Sequence, residues 1–444
     1  MKSYFALAAL AGLAAANSNP QPLNKMLNNP QFLEFMSKQN KHYTTPMELN
    51  MRAQIYNDNG DKIAKLNAKS AASGMNNAAT YEHNMFSDMT SAEFQSHLGL
   101  SPKDPSARVQ SMPRHPGGRT NATGGRGNRD RAAANGDVVR SSGRQSSRGG
   151  RGGRGLVADA VTVDLVKEGF MGPVKQQGSC GSCWAFAANS ALEGYVAKKN
   201  NTTPVRMSEQ HLVDCTLTNN SYNESLFGKT YGLWGCNGGW MSYAWWFQKE
   251  QGIMMDADYP YTSGRTGRET QCAHDASKTK GKVTQWGQIR NSIDDVKTKL
   301  KTHPMTIAID AGDGVFQFYK NGVIGKDAGC GTGLNHAVVL VGYTDEDDGS
   351  TPAPQPDPTP DPSPSPSPTP DPAVGECEVY KWWHTCKDSS NGRRLQKDAN
   401  GYHNYWKIQN SWGTNWGDQG FVLFEIAEGA GVCGMNSYIE WVEM

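Results

Sequence analysis

The most regular pattern of polar and apolar positions lies between about residues 30 and 100, in a cysteine-free stretch with helical spacing. Six positions there fall within an arc of about 100° when successive residues turn by about 100° around a helix. These positions are Glu48, Arg52, Tyr56, Asn59, Ile63 and Asn67. The spacing predicts one stripe of a long helix, and by itself it favours an ordinary amphipathic helix.

Further elements are predicted in the second half of the chain. The run "CWAFAANSALEGYVAKK" predicts a helix that begins at Cys183. His336 precedes an alternating, β-branched strand in "LNHAVVLVGY", and Asn410 follows the strand-like "YWKI". Helices and strands therefore both contribute to the predicted fold.

The first residues indicate a secretory signal peptide. Lys2 precedes the short apolar run "YFALAALAGLAAA", and small residues end it near Ala16. No other apolar stretch reaches about 18 residues, so we expect residues 1–16 to be removed and the protein to have no membrane partner. The expected location is the secretory pathway, either a lysosome-like vacuole or the extracellular space. Glycosylation sequons begin at Asn121, Asn200, Asn201, Asn219 and Asn223.

Two low-complexity segments interrupt the chain. Residues 101–155 carry 12 lysines and arginines against 3 aspartates, and also 12 glycines. Such a segment could bind RNA, but it has no aromatic residue to stack on bases, so we favour a protease-accessible linker and no nucleic-acid partner. From 352 to 372 every other residue is proline, which predicts an extended stalk, followed by a loop between Cys377 and Cys386.

The nine cysteines allow four disulfides and one free thiol in an oxidising compartment. For the motif Cys180-x-x-Cys183, a zinc site lacks a second cysteine or histidine pair at ligand spacing, and a redox pair lacks an early βαβ unit. We therefore expect no metal and no cofactor. The third interpretation is that Cys183 is a nucleophile at a helix N-terminus, which stabilises a thiolate. His336 and Asn410, in that order, are candidates for the base and its orienting group.

Two sets of motifs in the sequence resemble those of a known protein family. The stripe beginning at Glu48 and the later "NMFSDMTSAEF" resemble the inhibitory propeptides of cathepsin L-like cysteine proteases, with Tyr56 in place of phenylalanine. "PVKQQGSCGSCWAF", "SEQHLVDC", "GCNGGW", "NHAV" and "NSWGTNWGDQGF" resemble the mature domain of the papain-like proteases, in the family's order. The resemblance implies a two-lobe fold of the α+β class, with a helical lobe, a β-barrel-like lobe and a cleft between them, after a helical propeptide.

The resemblance also implies boundaries and partners. It gives a propeptide at 17–100, the linker at 101–155 and a peptidase domain at 156–444, with an insertion at about 345–401. The implied activity is that of a cysteine endopeptidase, which the propeptide blocks by running through the cleft opposite to substrate until acid releases it. The implied partners are polypeptide substrates, the chain's own propeptide and cystatin-type inhibitors, and the enzyme is expected to be a monomer.

Site roles are carried over from the resemblance by position. Cys183 is the implied nucleophile, His336 its ion-pair partner, Asn410 the residue that orients the imidazole, and Trp412 its shield from water. Gln177 is implied to donate to the oxyanion together with the backbone of Cys183. The implied disulfides are Cys180–Cys236, Cys215–Cys272 and Cys330–Cys433, which leaves Cys377 with Cys386.

The substrate groove is implied to present the backbone of Gly238 and Gly239. The pocket for the second residue before the scissile bond, called here the specificity residue, is implied to be lined by Trp240, Met241, Ala308, Leu334 and Tyr438. These side chains are apolar or aromatic and include no carboxylate. We therefore predict a preference for hydrophobic specificity residues and weak acceptance of arginine.

Overall fold

The computed structural model describes residues 29–75, 77–100, 161–218, 220–229, 231–290, 292–345, 379–380, 383–384 and 404–444. The predicted signal peptide, the linker, the stalk and the Cys377–Cys386 pair lie outside these residues.

The amino-terminal segment, residues 29–100, forms three helices and a short strand: α1 (Pro30–Lys38), α2 (Pro46–Ala71), β1 (Thr80–Tyr81) and α3 (Ser91–Gln95). Capping residues in the sequence determine where these helices begin. Thr45 accepts a hydrogen bond from the backbone of Glu48 at the start of α2, and Thr90 and Glu93 form a reciprocal capping box on α3. Proline at the first position of α1 and α2 suits a residue with no hydrogen-bonding N–H.

The predicted stripe is the face of α2 that packs against the rest of the molecule. Tyr56, Asn59 and Ile63 are buried on it. Asn59 donates to the carbonyls of Ser87 and Met89, so a polar member of the stripe holds the chain that follows β1. The stripe therefore joins the helix to the loop after it, and its polar positions are as structural as its apolar ones.

The helices of the second part lie mainly between Cys183 and Thr266. They are α4 (Cys183–Asn200), α5 (Glu209–Cys215), α6 (Ser221–Phe227), α7 (Met241–Gln251), α8 (Ser263–Thr266) and, further on, α9 (Ile293–Leu300). Short 3₁₀ helices span Gly235–Asn237, Ala276–Lys278 and Val432–Ser437. Helix α4 is buried along most of its length and is the centre of this helical layer.

The strands are β2 (Val161–Asp164), β3 (Gln285–Ile289), β4 (Met305–Ile309), β5 (Tyr319–Asn321), β6 (Val323–Ile324), β7 (His336–Asp345), β8 (Val379–Tyr380), β9 (Trp383–His384), β10 (Tyr405–Gln409), β11 (Phe421–Glu425) and β12 (Ile439–Glu443). The main sheet has the order β3-β12-β4-β7-β10-β11-β6, and β2 also pairs with β7. Its two end strands are not paired with each other within the described residues, so the lobe that was expected to be barrel-like contains an open sheet.

Disulfides connect Cys180 to Cys236, Cys215 to Cys272 and Cys330 to Cys433. These are the three pairs that the resemblance implied. Among the cysteines that the structure describes, Cys183 is the free thiol. No helix in the described ranges is long and apolar enough to cross a membrane.

Candidate active site

Cys183 and His336 are each the first residue of a regular element, α4 and β7 respectively. Asn410 directly follows β10, which pairs with β7 through Gln409 and Val339. This pairing brings Asn410 beside His336, whose Nε2 donates to the Asn410 Oδ1 over 2.8 Å. Two sheet strands therefore fix the imidazole and the amide relative to each other.

Trp412 covers this hydrogen-bonded pair. Its ring stacks on the imidazole of His336 with centroids 4.7 Å apart and planes 28° apart. Phe86 and Phe94 of the amino-terminal segment pack edge-on against the same indole at 4.9 and 5.5 Å. The bond between His336 and Asn410 therefore lies in an apolar environment, where hydrogen bonds are stronger than in water.

The thiol of Cys183 is fully buried and accepts a hydrogen bond from the backbone N–H of Gly99, at 3.2 Å. Burial raises the pKa of Cys183 to about 11, although hydrogen bonds from the backbone of Ala337, Gly99 and Trp184 lower it. The involvement of Ala337 places the sulfur next to the first residues of β7. Cys183 is therefore a neutral thiol at physiological pH while the amino-terminal segment covers it.

The imidazole of His336 is also held neutral. Burial lowers its pKa to about 4, the hydrogen bond to Asn410 raises it, and the nearby His97 lowers it further. Because Nε2 donates to Asn410, the free base position is Nδ1, which is buried and has no hydrogen-bond partner among the described residues. The covered site thus contains Cys183 and His336 in their uncharged forms.

Gln177 also contacts the amino-terminal segment. Its Nε2 donates to the carbonyl of His97 in the amino-terminal segment and to the carbonyl of Cys180, both at 2.9 Å. The hydroxyl of Ser411 donates to the Oε1 of Gln177 at 2.7 Å and fixes the amide orientation. The Gln177 amide is therefore a preorganised hydrogen-bond donor, and the backbone carbonyl of His97 accepts its hydrogen bond.

Gly178 permits the turn after this donor. It has φ 64, and a side chain there would place Cβ 2.3 Å from the carbonyl oxygen of Gly264.

Residues 97–100 of the amino-terminal segment, called here the covering segment, form backbone hydrogen bonds on both sides of the site. The Gly99 carbonyl accepts from the backbone N–H of Gly239 at 2.9 Å, and the Leu100 N–H donates to the carbonyl of Asn335 at 3.0 Å. Leu100 bridges Gly239 in a parallel sense, and its side chain is buried. The group that this segment presents to the sulfur of Cys183 is the backbone N–H of Gly99, a hydrogen-bond donor.

Only one of the two groove glycines meets this segment in the described contacts. The N–H of Gly239 binds it, whereas the carbonyl of Gly238 accepts from the backbone of Trp234. A Cβ at Gly239 would lie 2.6 Å from the indole of Trp184, so glycine is required at this position.

The residues proposed for the substrate pocket lie close together. The rings of Trp240 and Tyr438 meet edge to face, with centroids 4.5 Å apart, and the N–H of Ala308 donates to the carbonyl of Tyr438. Leu334 packs near Gly434, on the chain that leads to Tyr438. Met241 is the first residue of α7 and is buried directly after Trp240.

A buried carboxyl group that the sequence interpretation missed contacts Tyr438. The hydroxyl of Tyr438 donates to the Oε1 of Glu440 at 2.9 Å, and Glu440 is buried. No local signal marked this contact, because Tyr438 precedes β12 and a glutamate within a strand normally faces water. The five named lining residues carry no carboxylate, but one of them is bound to a carboxyl group.

Two family models match the sequence. The papain family cysteine protease model matches residues 160–353 and 386–442, and the cathepsin propeptide inhibitor domain model matches residues 32–94.

Among curated proteins, Vignain of Vigna mungo is 33% identical over 282 residues, which cover 62% of this chain. Cysteine proteinase COT44 of Brassica napus is 33% identical over 287 residues, also 62% of this chain. The chain spans 57% and 63% of the lengths of these two relatives.

The solved structures show the fold. A digestive procathepsin L 3 from the larval midgut of Tenebrio molitor superposes with a TM-score of 0.58 at 23% identity, covering 96% of this chain and 100% of that one. A recombinant stem bromelain precursor gives a TM-score of 0.59 at 22% identity, covering 96% and 99%. Both are precursors with the same overall fold as this chain, which confirms the fold that the resemblance implied.

Proposed function

Because the chain belongs to the papain family of cysteine proteases, we propose that it is a cysteine endopeptidase made as an inactive zymogen. The observation that carries this proposal is the arrangement of Cys183, Gln177 and the hydrogen-bonded pair His336–Asn410 under residues 97–100. The matched inhibitor domain at 32–94 leads directly into these covering residues and supports their role as an inhibitory propeptide.

The proposed reaction proceeds through an acyl-enzyme. Once the cleft is open, the thiolate of Cys183 attacks the scissile carbonyl, and the oxyanion accepts hydrogen bonds from the Gln177 amide and the Cys183 backbone N–H. His336 protonates the leaving amine and then activates the water that hydrolyses the thioester. Asn410 keeps Nδ1 of His336 directed at the reacting groups by holding Nε2.

The chain organisation belongs to the same proposal. Residues 1–16 are the signal peptide, 17–100 the propeptide, 101–155 the linker that is cut and 156–444 the peptidase domain. The disulfides and the signal sequence support a place in the secretory pathway, in a vacuole or outside the cell. Of the sequons that the structure describes, Asn200 and Asn201 are exposed, but Asn223 is buried and donates to the Asp214 carbonyl, which argues against a glycan there.

The test of the function uses the purified zymogen. At about pH 4 to 5, we expect the wild-type chain to shorten by roughly its first 155 residues and to hydrolyse a Leu-Arg reporter peptide, with inhibition by a thiol-reactive epoxide. Cys183→Ala should remain silent even after its amino-terminal segment is removed by an added protease. A wild-type enzyme that is silent after the same removal would contradict the proposal.

Histidines of the amino-terminal segment should set the pH at which the zymogen opens. Burial lowers the pKa of His83, which stacks on Tyr56 with centroids 3.8 Å apart, and burial likewise lowers the pKa of His97. Because the closed form favours a neutral histidine, it is most stable above about pH 6.5. It loses stability as the pH falls from there through the pKa of the histidine in the closed form. We expect His83→Phe to move the half-activation pH downward, as measured by processing after pH jumps.

A carboxylate should act in a lower pH range. Burial raises the pKa of Glu93, but hydrogen bonds from Arg52 and Thr90 outweigh this and hold it below its usual value. Stability from Glu93 is therefore lost only as the pH falls below about 4.5. Glu93→Gln should weaken closure already at neutral pH.

The two predictions can be told apart. An unchanged half-activation pH in His83→Phe would exclude the role of His83.

A further inference from the structure

Ser182 lies at the N-cap position of α4, directly before Cys183, but its side chain makes no capping hydrogen bond. A serine at this position normally accepts a hydrogen bond from a backbone N–H in the first turn of the helix. Here its hydroxyl lies 2.8 Å from the hydroxyl of Tyr261 instead. The backbone N–H groups of Cys183 and Trp184 are thereby left to hydrogen-bond the sulfur of Cys183.

Tyr261 connects this serine to the main chain of Gln177. Its hydroxyl donates to the carbonyl oxygen of Gln177 at 2.9 Å. A carbonyl has no proton to give, so the tyrosine proton belongs to that bond, and the hydroxyl of Ser182 donates to the tyrosine oxygen. Burial raises the pKa of Tyr261, so its hydroxyl keeps this proton at neutral and acid pH.

Tyr261 is held in place on the side of α4 and on the side of the loop before it. Its ring meets the ring of Phe186 in α4 edge to face, with centroids 4.9 Å apart and planes 89° apart. The carbonyl of Gly264, three residues further on, accepts the backbone N–H of Ser179 at 2.8 Å. The tyrosine hydroxyl therefore has a fixed location between the helix and the turn that follows Gln177.

We propose that Tyr261 is a positioning residue that acts through Gln177. The two proposed oxyanion donors, the Gln177 amide and the Cys183 N–H, belong to separate parts of the chain. The hydrogen bonds from Ser182 to Tyr261 and from Tyr261 to Gln177 tie the start of α4 to the main chain of the glutamine. The two donors thus keep the separation that binding of one oxygen atom requires.

Gln177 is held from the strand side by a different residue. Ser411, which follows Asn410, accepts the backbone N–H of Gln177 and donates to its Oε1. Tyr261 binds the remaining main-chain group, the carbonyl, so each residue fixes the glutamine to a different part of the fold. The inference rests on the proposed function and adds to it a residue that does not touch the substrate.

Tyr261→Phe tests the proposal on enzyme whose amino-terminal segment has been removed, because it deletes the hydroxyl and keeps the ring. We expect kcat for the Leu-Arg reporter peptide to fall about tenfold while KM changes by less than about twofold, since the donors bind the oxyanion chiefly in the transition state. The value of kcat is normalised to the Cys183 sites titrated with the thiol-reactive epoxide. An unchanged kcat would overturn the proposal.

Two further measurements separate positioning from a general structural role. In a Gln177→Ala background, Tyr261→Phe should lower kcat by less than about twofold, because the amide that it positions is absent. Alkylation of Cys183 by iodoacetamide requires the thiolate but forms no oxyanion, so its rate in the opened enzyme should be the same for Tyr261→Phe and wild type. A full loss of kcat in the Gln177→Ala background, or slower alkylation, would contradict the proposal.

Tyr259→Phe is the matched control. The hydroxyl of Tyr259 is also within hydrogen-bond distance of two groups, since it donates to the Asp214 Oδ2 at 2.9 Å and accepts the backbone N–H of Ala273 at 3.0 Å. Neither partner belongs to the proposed site, so kcat per titrated Cys183 should stay within about twofold of wild type. An equal loss of kcat in Tyr259→Phe and Tyr261→Phe would refute the specific role of Tyr261.

Ser182→Ala tests the link from its other end and decides the question if Tyr261→Phe does not fold. It should lower kcat about threefold, and the double variant with Tyr261→Phe should be no slower than Tyr261→Phe alone. An unchanged kcat in Ser182→Ala, or losses that add in the double variant, would overturn the link. Failure of the proposed function looks different, since the opened wild-type enzyme would then not hydrolyse the reporter peptide.

Discussion

Iodoacetamide is expected to alkylate Cys183 at least about 10³-fold more slowly in the closed zymogen than after the amino-terminal segment is removed. Two causes act together. The thiol is fully buried under Gly99, so the reagent reaches it only after the segment lifts. Its pKa of about 11 also leaves a thiolate fraction of only about 10⁻⁴ at pH 7, although the greater nucleophilicity of a basic thiolate offsets part of this. Mass spectrometry of the Cys183 peptide over time measures both rates.

Gly99→Ala provides a matched test of the cause. A Cβ at Gly99 would lie 1.8 Å from the carbonyl oxygen of Gly181, so this methyl group cannot be accommodated while the segment lies in the cleft. The variant zymogen should react nearly as fast as the opened enzyme. Gly172→Ala is the control, because its Cβ would make ordinary contacts of 3.8 and 3.9 Å. A Gly99→Ala zymogen as protected as wild type would contradict the assignment of this segment as the cover.

Local signals in the sequence predicted the elements of the site well. Cys183 begins a helix, His336 begins a strand and Asn410 follows one, because each lies at the edge of a long periodic or β-branched run. The stripe through Tyr56 and Asn59 was also readable as one helical face. These features depend on residues close in sequence, so they can be predicted without knowledge of the tertiary structure.

The contacts between distant parts of the chain were not readable in this way. That the carbonyl of His97 occupies the amide of Gln177 depends on how residues 97–100 enter the cleft, which no local pattern specifies. Glu440 was overlooked for a related reason, since a glutamate in an alternating strand normally faces water. Its burial follows from the packing of Tyr438 and α7 over it, which the sequence does not display.

Lys175→Met is expected to destabilise the fold by about 3–5 kcal/mol at neutral pH, because it leaves buried carboxylates without their cation. The Lys175 Nζ lies 2.7 Å from the Glu193 Oε1 and 2.6 Å from the Glu209 Oε1, and all three side chains are nearly inaccessible. Burial alone would lower the pKa of Lys175, but the two carboxylates raise it. Glu193 also accepts the backbone N–H of Met207, so the cluster ties the loop before Gln177 to α4 and α5.

The effect should depend on pH with a definite sign. Burial raises the pKa of Glu193 even when the lysine is present, and losing the lysine should raise it further. A raised carboxyl pKa destabilises the folded state increasingly as the pH rises above about 4.5, so the deficit of the variant should be smallest in acid and grow towards neutrality. Urea unfolding followed by tryptophan fluorescence, in a Cys183→Ala background that prevents self-cleavage, measures the free energy of unfolding at each pH.

A triple variant separates charge from packing at this position, and Lys38→Met is the control for the loss of an exposed charge. Lys175→Met combined with Glu193→Gln and Glu209→Gln removes every charge of the cluster and should recover most of the lost stability, since buried ion clusters are commonly replaceable by neutral groups. Lys38→Met breaks the exposed Lys38–Glu34 pair and should leave the unfolding curve unchanged. If the triple variant is no more stable than Lys175→Met, then the lysine acts through its packing, and the buried charges are not what holds the loop that carries Gln177 in place.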